Sequence, residues 1–298
     1  GSGSNEIAHL LAHHQVDYLG VAYVDEGVAL RKSGITTPIM VMNSSIDGFN
    51  NILTYDLAPV MYNLDILEQF MRFLDGRPAL IHLKIDTGMR RLGFQETHIH
   101  SLIALFKTHP NIKIESIFSH LVGSDEVRHN DFSKQQVEQL NNVYEQICSS
   151  LSIQPLKHIL NSSGILRFPE YQFDMVRLGI GLYGIDSNQQ YQNNLLPISS
   201  LKTTISQINE IKKGETIGYG RKGVASKDMR IATLAIGYAD GFSRAFSNGV
   251  GEVVLDGHLL PVIGNICMDM TMIDLHAVEA HVGDEVTVFG DQMPITTL

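Results

Sequence analysis

Ala79-Leu80-Ile81-His82-Leu83-Lys84 runs directly into Ile85-Asp86-Thr87-Gly88-Met89-Arg90-Arg91-Leu92-Gly93. A strand-sized apolar run thus ends in a polar, glycine-bearing loop. The pattern recurs on both sides. Apolar strands are predicted at Tyr18–Ala22, Ile39–Met42, Pro59–Tyr62, Ala79–Lys84, Ile114–Ser119, His158–Leu160 and Met175–Leu178. Helices are predicted from Asp25 to Ser33, Asp65 to Leu74, Thr97 to Lys107 and Asp131 to Leu151. Continuous apolar strands alternating with helices argue for a buried parallel sheet. Doubly wound sheets usually need fewer units, and a (β/α)8 barrel needs eight strands. A chain that begins inside the first βα loop shows seven. The predicted fold is therefore α/β, a (β/α)8 TIM-type barrel with its first strand missing from this chain. Ser4 is the expected N-cap of an opening helix.

The texture changes after about Gln192. Leu201–Ile211, Arg230–Gly237, Gly251–Leu255, Leu259–Ile263 and Glu285–Phe289 are strand-like, with turn signals at Lys213-Gly214 and Asp256-Gly257. No long amphipathic helix accompanies them. That predicts a mainly antiparallel β domain. The expected division is a barrel over residues 1–192 and a β domain over residues 193–298.

Composition narrows the function classes. The 298 residues are 44% hydrophobic, ample for buried cores. The formal net charge of −10 gives no electrostatic reason to bind nucleic acid or an anionic membrane. No apolar run approaches the roughly 20 residues of a spanning helix. The two cysteines, Cys148 and Cys267, make no disulfide framework and suit a reducing cytoplasm. No Cys/His metal spacing, P-loop or nucleophile-elbow motif is present.

Barrel active sites lie at the C-terminal ends of the strands, with phosphate often bound after the last two. Asn161 and Ser162 stand at a predicted helix start, and Gly179–Gly181 form a glycine-rich turn. Together they would make an anion cradle of backbone N–H groups and a hydroxyl. Taken singly, Ser162 is a helix cap and the glycines ease a turn. Arg177 at a strand end is costly to bury without a partner, though a rim salt bridge is the plainer reading. His120 alone reads as a core histidine. Lys84, inside an apolar strand, must be neutral, paired or chemically modified, with Asp86 and Arg91 close in sequence. Tyr219 and Tyr238 sit in glycine-flanked loops, where a core tyrosine is the ordinary alternative. Cys267 reads as strand packing.

Several of these segments carry a family resemblance. Lys84–Gly93 resembles the K-x-D-T-G-M-x-R-L-G motif of bacterial alanine racemases. Ser119-His120, His158–Ser162, Asp174–Gly184, Ile217–Gly220, Ile236–Gly241 and Gly264–Asp269 are similar to that family in the same order. Each match is weak alone; jointly they are specific from Gly1 to about Gly290.

The resemblance implies a barrel followed by a β domain, a head-to-tail homodimer, and pyridoxal 5'-phosphate (PLP) as cofactor. It implies L-/D-alanine interconversion for peptidoglycan precursors by a two-base mechanism. It makes Tyr219 one base and sets Arg177 against the pyridine nitrogen, supported by His120. Asn161, Ser162, Gly179 and Ile180 become the phosphate set. Arg91 and Met268 become substrate-carboxylate contacts with Tyr238 beside them, and Lys84 a lysine that is often carbamylated. No metal is implied. Two departures stand out. Gly1-Ser2-Gly3 resembles the tail of the family's K-x-x-x-Y-G-x-G motif, which sets the Schiff-base lysine five residues before Gly1. The family also continues past Leu298 and supplies another tyrosine there. The rival readings are a PLP barrel decarboxylase, a racemase of other amino acids, and a non-catalytic PLP-binding module. Decarboxylases usually put a carboxylate at the pyridine nitrogen, and the stand-alone modules lack the β domain.

Overall fold

The computed structural model describes residues 3–297. Gly1 and Ser2, where the sequence resembles the end of the lysine motif, lie outside the described residues, as does Leu298.

The first unit runs to Gly181 and includes Asp186–Tyr191. Its elements alternate: α1 (Ser4–His13), β1 (Leu19–Val21), α2 (Val24–Lys32), β2 (Ile39–Val41), α3 (Phe49–Thr54), β3 (Ala58–Met61), α4 (Leu64–Leu74), β4 (Ala79–Lys84), α5 (Ile99–Thr108), β5 (Ile112–Phe118), α6 (Asn130–Leu151), β6 (Leu156–His158) and α7 (Ser162–Arg167). Every strand pair is parallel, in the order β1-β2-β3-β4-β5-β6. This is the βα succession of a TIM-type barrel, present in part. Strands β2 and β3 are buried along their whole length. That is why they read as unbroken apolar runs rather than alternating ones. The period of two still sorts the faces. Ile81, Leu83 and Ile85 join the large core with Phe70 and Leu102 of the helices. His82 and Lys84 therefore fall on the opposite, inner face. Phe118, Met40 and Val60 form a smaller cluster of their own.

Three sequence expectations need correction here. Met175–Leu178 is not a seventh strand. It runs beside β6 with backbone hydrogen bonds, among the described residues, only at its ends, Asp174 N–H to Lys157 O (3.0 Å) and Arg177 N–H to Leu160 O (3.0 Å). The Asp174 carboxylate accepts from Lys157 N–H, where a ladder would need a carbonyl. The sixth strand is Leu156–His158, not His158–Leu160, because the turn into α7 begins at once. Ser4 is the first helical residue, and Gly3 stands at the N-cap position.

The second unit comprises Leu182–Ile185 and the described residues from Gln192 onward. Strands β7 (Leu201–Ile211), β10 (Met229–Leu234), β11 (Glu252–Leu255), β12 (His258–Pro261), β13 (Thr271–Asp274) and β14 (Glu285–Phe289) form one antiparallel sheet, ordered β12-β11-β14-β7-β10-β13. A small hairpin joins β8 (Thr216–Ile217) to β9 (Gly223–Val224). β7 serves two neighbours: Leu201–Thr204 pairs with β14 and Ile205–Ile211 with β10. The Asp256-Gly257 turn has φ of 47° and 80°, the paired positive values that suit a tight hairpin. Strand β13 was not among the sequence expectations. The unit has its own core, including Leu234, Val253, Ile273 and Val286. Among the described residues, no helix is long and apolar enough to cross a membrane.

Candidate functional site

Parallel pairing brings the C-terminal ends of β4, β5 and β6 to one edge of the sheet, the functional edge of a barrel. Arg177 reaches into this edge. Its Nη2 donates to Ser119 O (2.7 Å) and Ile159 O (3.1 Å) and meets His120 Nδ1 at 3.3 Å. Its Nη1 donates to His158 Nδ1. The guanidinium also lies over the Phe118 ring, 5.0 Å from its centroid. Burial lowers its pKa to about 10, which leaves it charged at neutral pH. Nε–H and one Nη1 hydrogen have no partner among the described residues.

His120 is neutral. Burial lowers its pKa to about 4, with the charges of Arg177, Lys84 and Arg91 acting the same way. Because Nδ1 faces a donor, its proton belongs on Nε2. Gln136 of α6 donates to His120 O (3.0 Å) and to Thr87 Oγ1 (3.2 Å), which in turn shares a 2.7 Å hydrogen bond with Ser119 Oγ.

Lys84, at the end of β4, is 6% exposed. Burial first, then the nearby charges of Arg91 and Arg177, lower its pKa to about 8, while Asp86 pulls the other way. It is not a water-exposed ammonium. The loop after it folds back: Phe94 N–H donates to Lys84 O (2.8 Å) and Asp86 N–H to Phe94 O (2.9 Å). Gly93, at φ 139°, permits that return, since a Cβ there would sit 2.6 Å from Asp86 N. Asp86 Oδ1 accepts from Gly88 N–H (2.8 Å) and Arg90 N–H (3.1 Å). Arg91 is exposed on this loop.

The residues expected to cradle an anion lie together, bonded to one another. Ser162 Oγ accepts from Gly179 N–H (2.9 Å) and Gly181 N–H (3.2 Å), with Ile180 exposed between them. Asn161 caps α7, its Oδ1 accepting from Gly164 N–H (3.0 Å) and from Ser124 Oγ (2.7 Å). Its Nδ2 donates to Leu121 O (3.3 Å). The Asn161 side chain is thus occupied with shaping the turn.

In the second unit, Tyr219 is 67% exposed. It stands between Gly218 (φ 73°) and Gly220 (φ 67°), and its carbonyl accepts from Asn265 Nδ2 (3.0 Å). It borders a depression of about 500 Å³ that Thr216, Cys267 and Met272 also line. Tyr238 N–H donates to Cys267 O (3.0 Å) and Ala239 N–H to Met268 O (2.9 Å). The Arg244 guanidinium lies 4.9 Å from the Tyr238 ring centroid. Tyr238 and Met268 therefore share one loop cluster, and Asn265 ties it to Tyr219. The inner-face residues His82, Ser116 and His158 had no role in the sequence reading; their only signal was a polar residue inside an apolar strand.

Comparison with known proteins agrees with this layout. Residues 1–187 match the family model described as the alanine racemase N-terminal domain, and residues 198–298 match the C-terminal domain. The alanine racemase of Clostridium tetani is 36% identical over 308 aligned residues, covering 99% of this chain and 78% of that protein. The structure of alanine racemase from Clostridium difficile 630 superposes with a TM-score of 0.86 at 34% identity, covering 98% of this chain and 77% of that one. The Bartonella henselae enzyme, described with covalently bound pyridoxal phosphate, gives a TM-score of 0.90 at 26% identity, covering 100% and 82%. With both domain models matched and such relatives along nearly its whole length, the chain belongs to the alanine racemase family.

Proposed function

We propose that the protein interconverts L- and D-alanine with pyridoxal 5'-phosphate. The observation that carries the reading is Arg177: a charged, desolvated guanidinium, pinned on one side by two carbonyls and two imidazoles, with donors left over. Those spare N–H groups suit a ring nitrogen as acceptor. The Ser162 hydroxyl and the Gly179–Gly181 turn suit a phosphate. The residues present thus fit the cofactor. When bound, PLP draws electron density from the substrate's Cα and so acidifies its proton.

The protein's own groups do the rest. Arg177 has donors only, so it hydrogen-bonds the ring nitrogen without protonating it. Gly179, Ile180 and Ser162 hold the phosphate, with Asn161 shaping their turn. Arg91 and Met268 bind the substrate carboxylate, with Tyr238 alongside. Lys84, as a carbamate, would be an anion matched to Arg91. Racemisation needs proton transfer on both faces of Cα. Tyr219 serves one face, and the resemblance assigns the other to the family's Schiff-base lysine. Arg177 and Tyr219 belong to different compact units. A head-to-tail homodimer would let Tyr219 serve the partner's barrel, completing two sites through one self-complementary interface. Both cysteines are unpaired, which suits a cytoplasmic enzyme supplying D-alanine for peptidoglycan precursors.

The test is to incubate the full-length PLP-loaded protein with L-alanine and follow optical rotation. D-alanine should accumulate to an equal mixture. No D-alanine, with intact cofactor absorbance, overturns the reading.

A further inference from the structure

His82, Ser116 and His158 are polar side chains at 0% exposure on the inner faces of β4, β5 and β6. The proposed reaction uses neither His82 nor Ser116. Yet Ser116 Oγ lies 2.7 Å from His82 Nδ1 and 3.1 Å from His158 Nε2. His158 Nδ1 in turn meets Arg177 Nη1.

Counting protons gives this chain a direction. A guanidinium offers donors only, so in the observed contact His158 Nδ1 is the acceptor. Burial and the charge of Arg177 hold the His158 pKa well below the ordinary imidazole range, so the ring is neutral. Its single proton is then on Nε2 and donates to Ser116 Oγ. The Ser116 hydroxyl proton goes to His82 Nδ1. The reverse order would leave His158 with no proton at all, a buried anion. His82 keeps its proton on Nε2, which finds no hydrogen-bond acceptor among the described residues. The His158 ring is stacked on Phe118 (4.5 Å, 7°), so the location of its proton is its chief remaining freedom.

We propose that His82 and Ser116 are positioning residues for Arg177: through Ser116 Oγ they hold His158 in its Nε2–H form, which keeps Nδ1 an acceptor aimed at the guanidinium. Without that lock, an Nδ1–H form would face an Arg177 N–H, and the guanidinium would lose one of its anchors. The consequence for turnover rests on the reading of Arg177 as the cofactor's ring partner. The consequence for the His158 proton does not.

The experiment compares the full-length wild type with Ser116→Ala, Ser116→Thr and His82→Phe. Heteronuclear NMR of the imidazole nitrogens reports where the His158 proton sits. Steady-state racemisation reports kcat and KM. In Ser116→Ala, the His158 Nε2–H signature should give way to a mixture of forms. Its kcat should fall about tenfold, in the range for residues that orient a primary group, with KM for alanine little changed. Ser116→Thr keeps the hydroxyl and should restore both. His82→Phe should shift the same signals in the same direction, and it decides the matter if Ser116→Ala does not fold. Wild-type His158 signals in Ser116→Ala or in a folded His82→Phe would overturn the proposal, as would an unchanged kcat. If wild-type holoenzyme gives no racemisation at all, the functional reading fails, while the NMR comparison still decides the positioning.

Discussion

Arg177 and Tyr219 are assigned to opposite ends of the same reaction, and their surroundings differ sharply. Arg177 is held by four acceptors and lies over Phe118. Its neighbours His82, Ser116 and His158 are fully buried. Tyr219 is mostly exposed, on a glycine-flanked turn anchored by its backbone carbonyl to Asn265. In the barrel unit, chemistry and stability share the same atoms. In the β unit, the chemical group stands clear of the core that supports it. The first arrangement gives a fixed, desolvated charge. The second leaves a side chain presented outward, as its proposed part in a partner's site requires.

The contrast breaks if these two residues respond alike to truncation. Tyr219→Phe removes one hydroxyl from a surface turn. Racemisation should fall about 100- to 10,000-fold, the worth of a positioned acid or base. Stability should move by less than about 0.5 kcal/mol, as for other exposed sites. Arg177→Ala should also abolish turnover, but it strands two carbonyls and two ring nitrogens. It should destabilise the fold by about 2–5 kcal/mol. Denaturant unfolding alongside kinetics checks both. A stable Arg177→Ala, or a destabilised Tyr219→Phe, would erase the distinction.

A gentler probe is acid. Burial lowers the pKa values of His82 and His120 from 6.5 to about 4, and His158 moves the same way. Between these values the unfolded chain binds protons that the folded chain refuses. Stability contributed by the neutral rings is present above about 6.5 and is lost as pH falls toward 4. All three of these histidines lie in the barrel unit, so its near-ultraviolet signals should fade before those of the β unit as pH drops from 6.5 to 4. Simultaneous loss would mean that the two units do not unfold independently.

The same contrast governs what was legible in the sequence. The barrel strands announced themselves because both faces are buried and the runs are unbroken, as in Val60 and Met61 or Ile81 and Leu83. The exception was Met175–Leu178, apolar enough for a strand but denied a ladder by the Asp174 carboxylate. β13 escaped because it alternates over only four residues, with Thr271 and Ile273 inward. Arg177, His120 and Ser162 stood out as polar residues where apolar runs end, but each had an ordinary structural reading, and only the resemblance gave them roles. His82 and Ser116 did not stand out. Their hydrogen bonds join residues 34 and 42 positions apart, and a lone polar residue in an apolar strand looks the same whether it packs or positions.

The smallest expected effect separates a buried charge from a merely buried chain. Lys84 ionises at about 8 in the fold, against 10.5 unperturbed. From pH 8 to 10.5 the unfolded chain holds a proton that the folded chain has released. Stability should therefore rise with pH across that interval, and the folded state carries the full penalty of the buried ammonium below pH 8. Lys84→Met keeps the apolar stem and removes the titration. In buffer freed of carbon dioxide, the difference in unfolding free energy between the two proteins should shrink steadily from pH 8 to 10, with the variant ahead at the lower end. Tyr18, Tyr144 and Cys148 have raised pKa values and act in the opposite sense. Both proteins share them, so the difference isolates Lys84. Adding bicarbonate sharpens the test. A carbamate at Lys84 replaces the ammonium by an anion beside Arg91, so the wild type should gain stability below pH 8 while Lys84→Met does not respond. A pH-independent difference without carbon dioxide would show that the Lys84 ammonium is solvated in the folded protein.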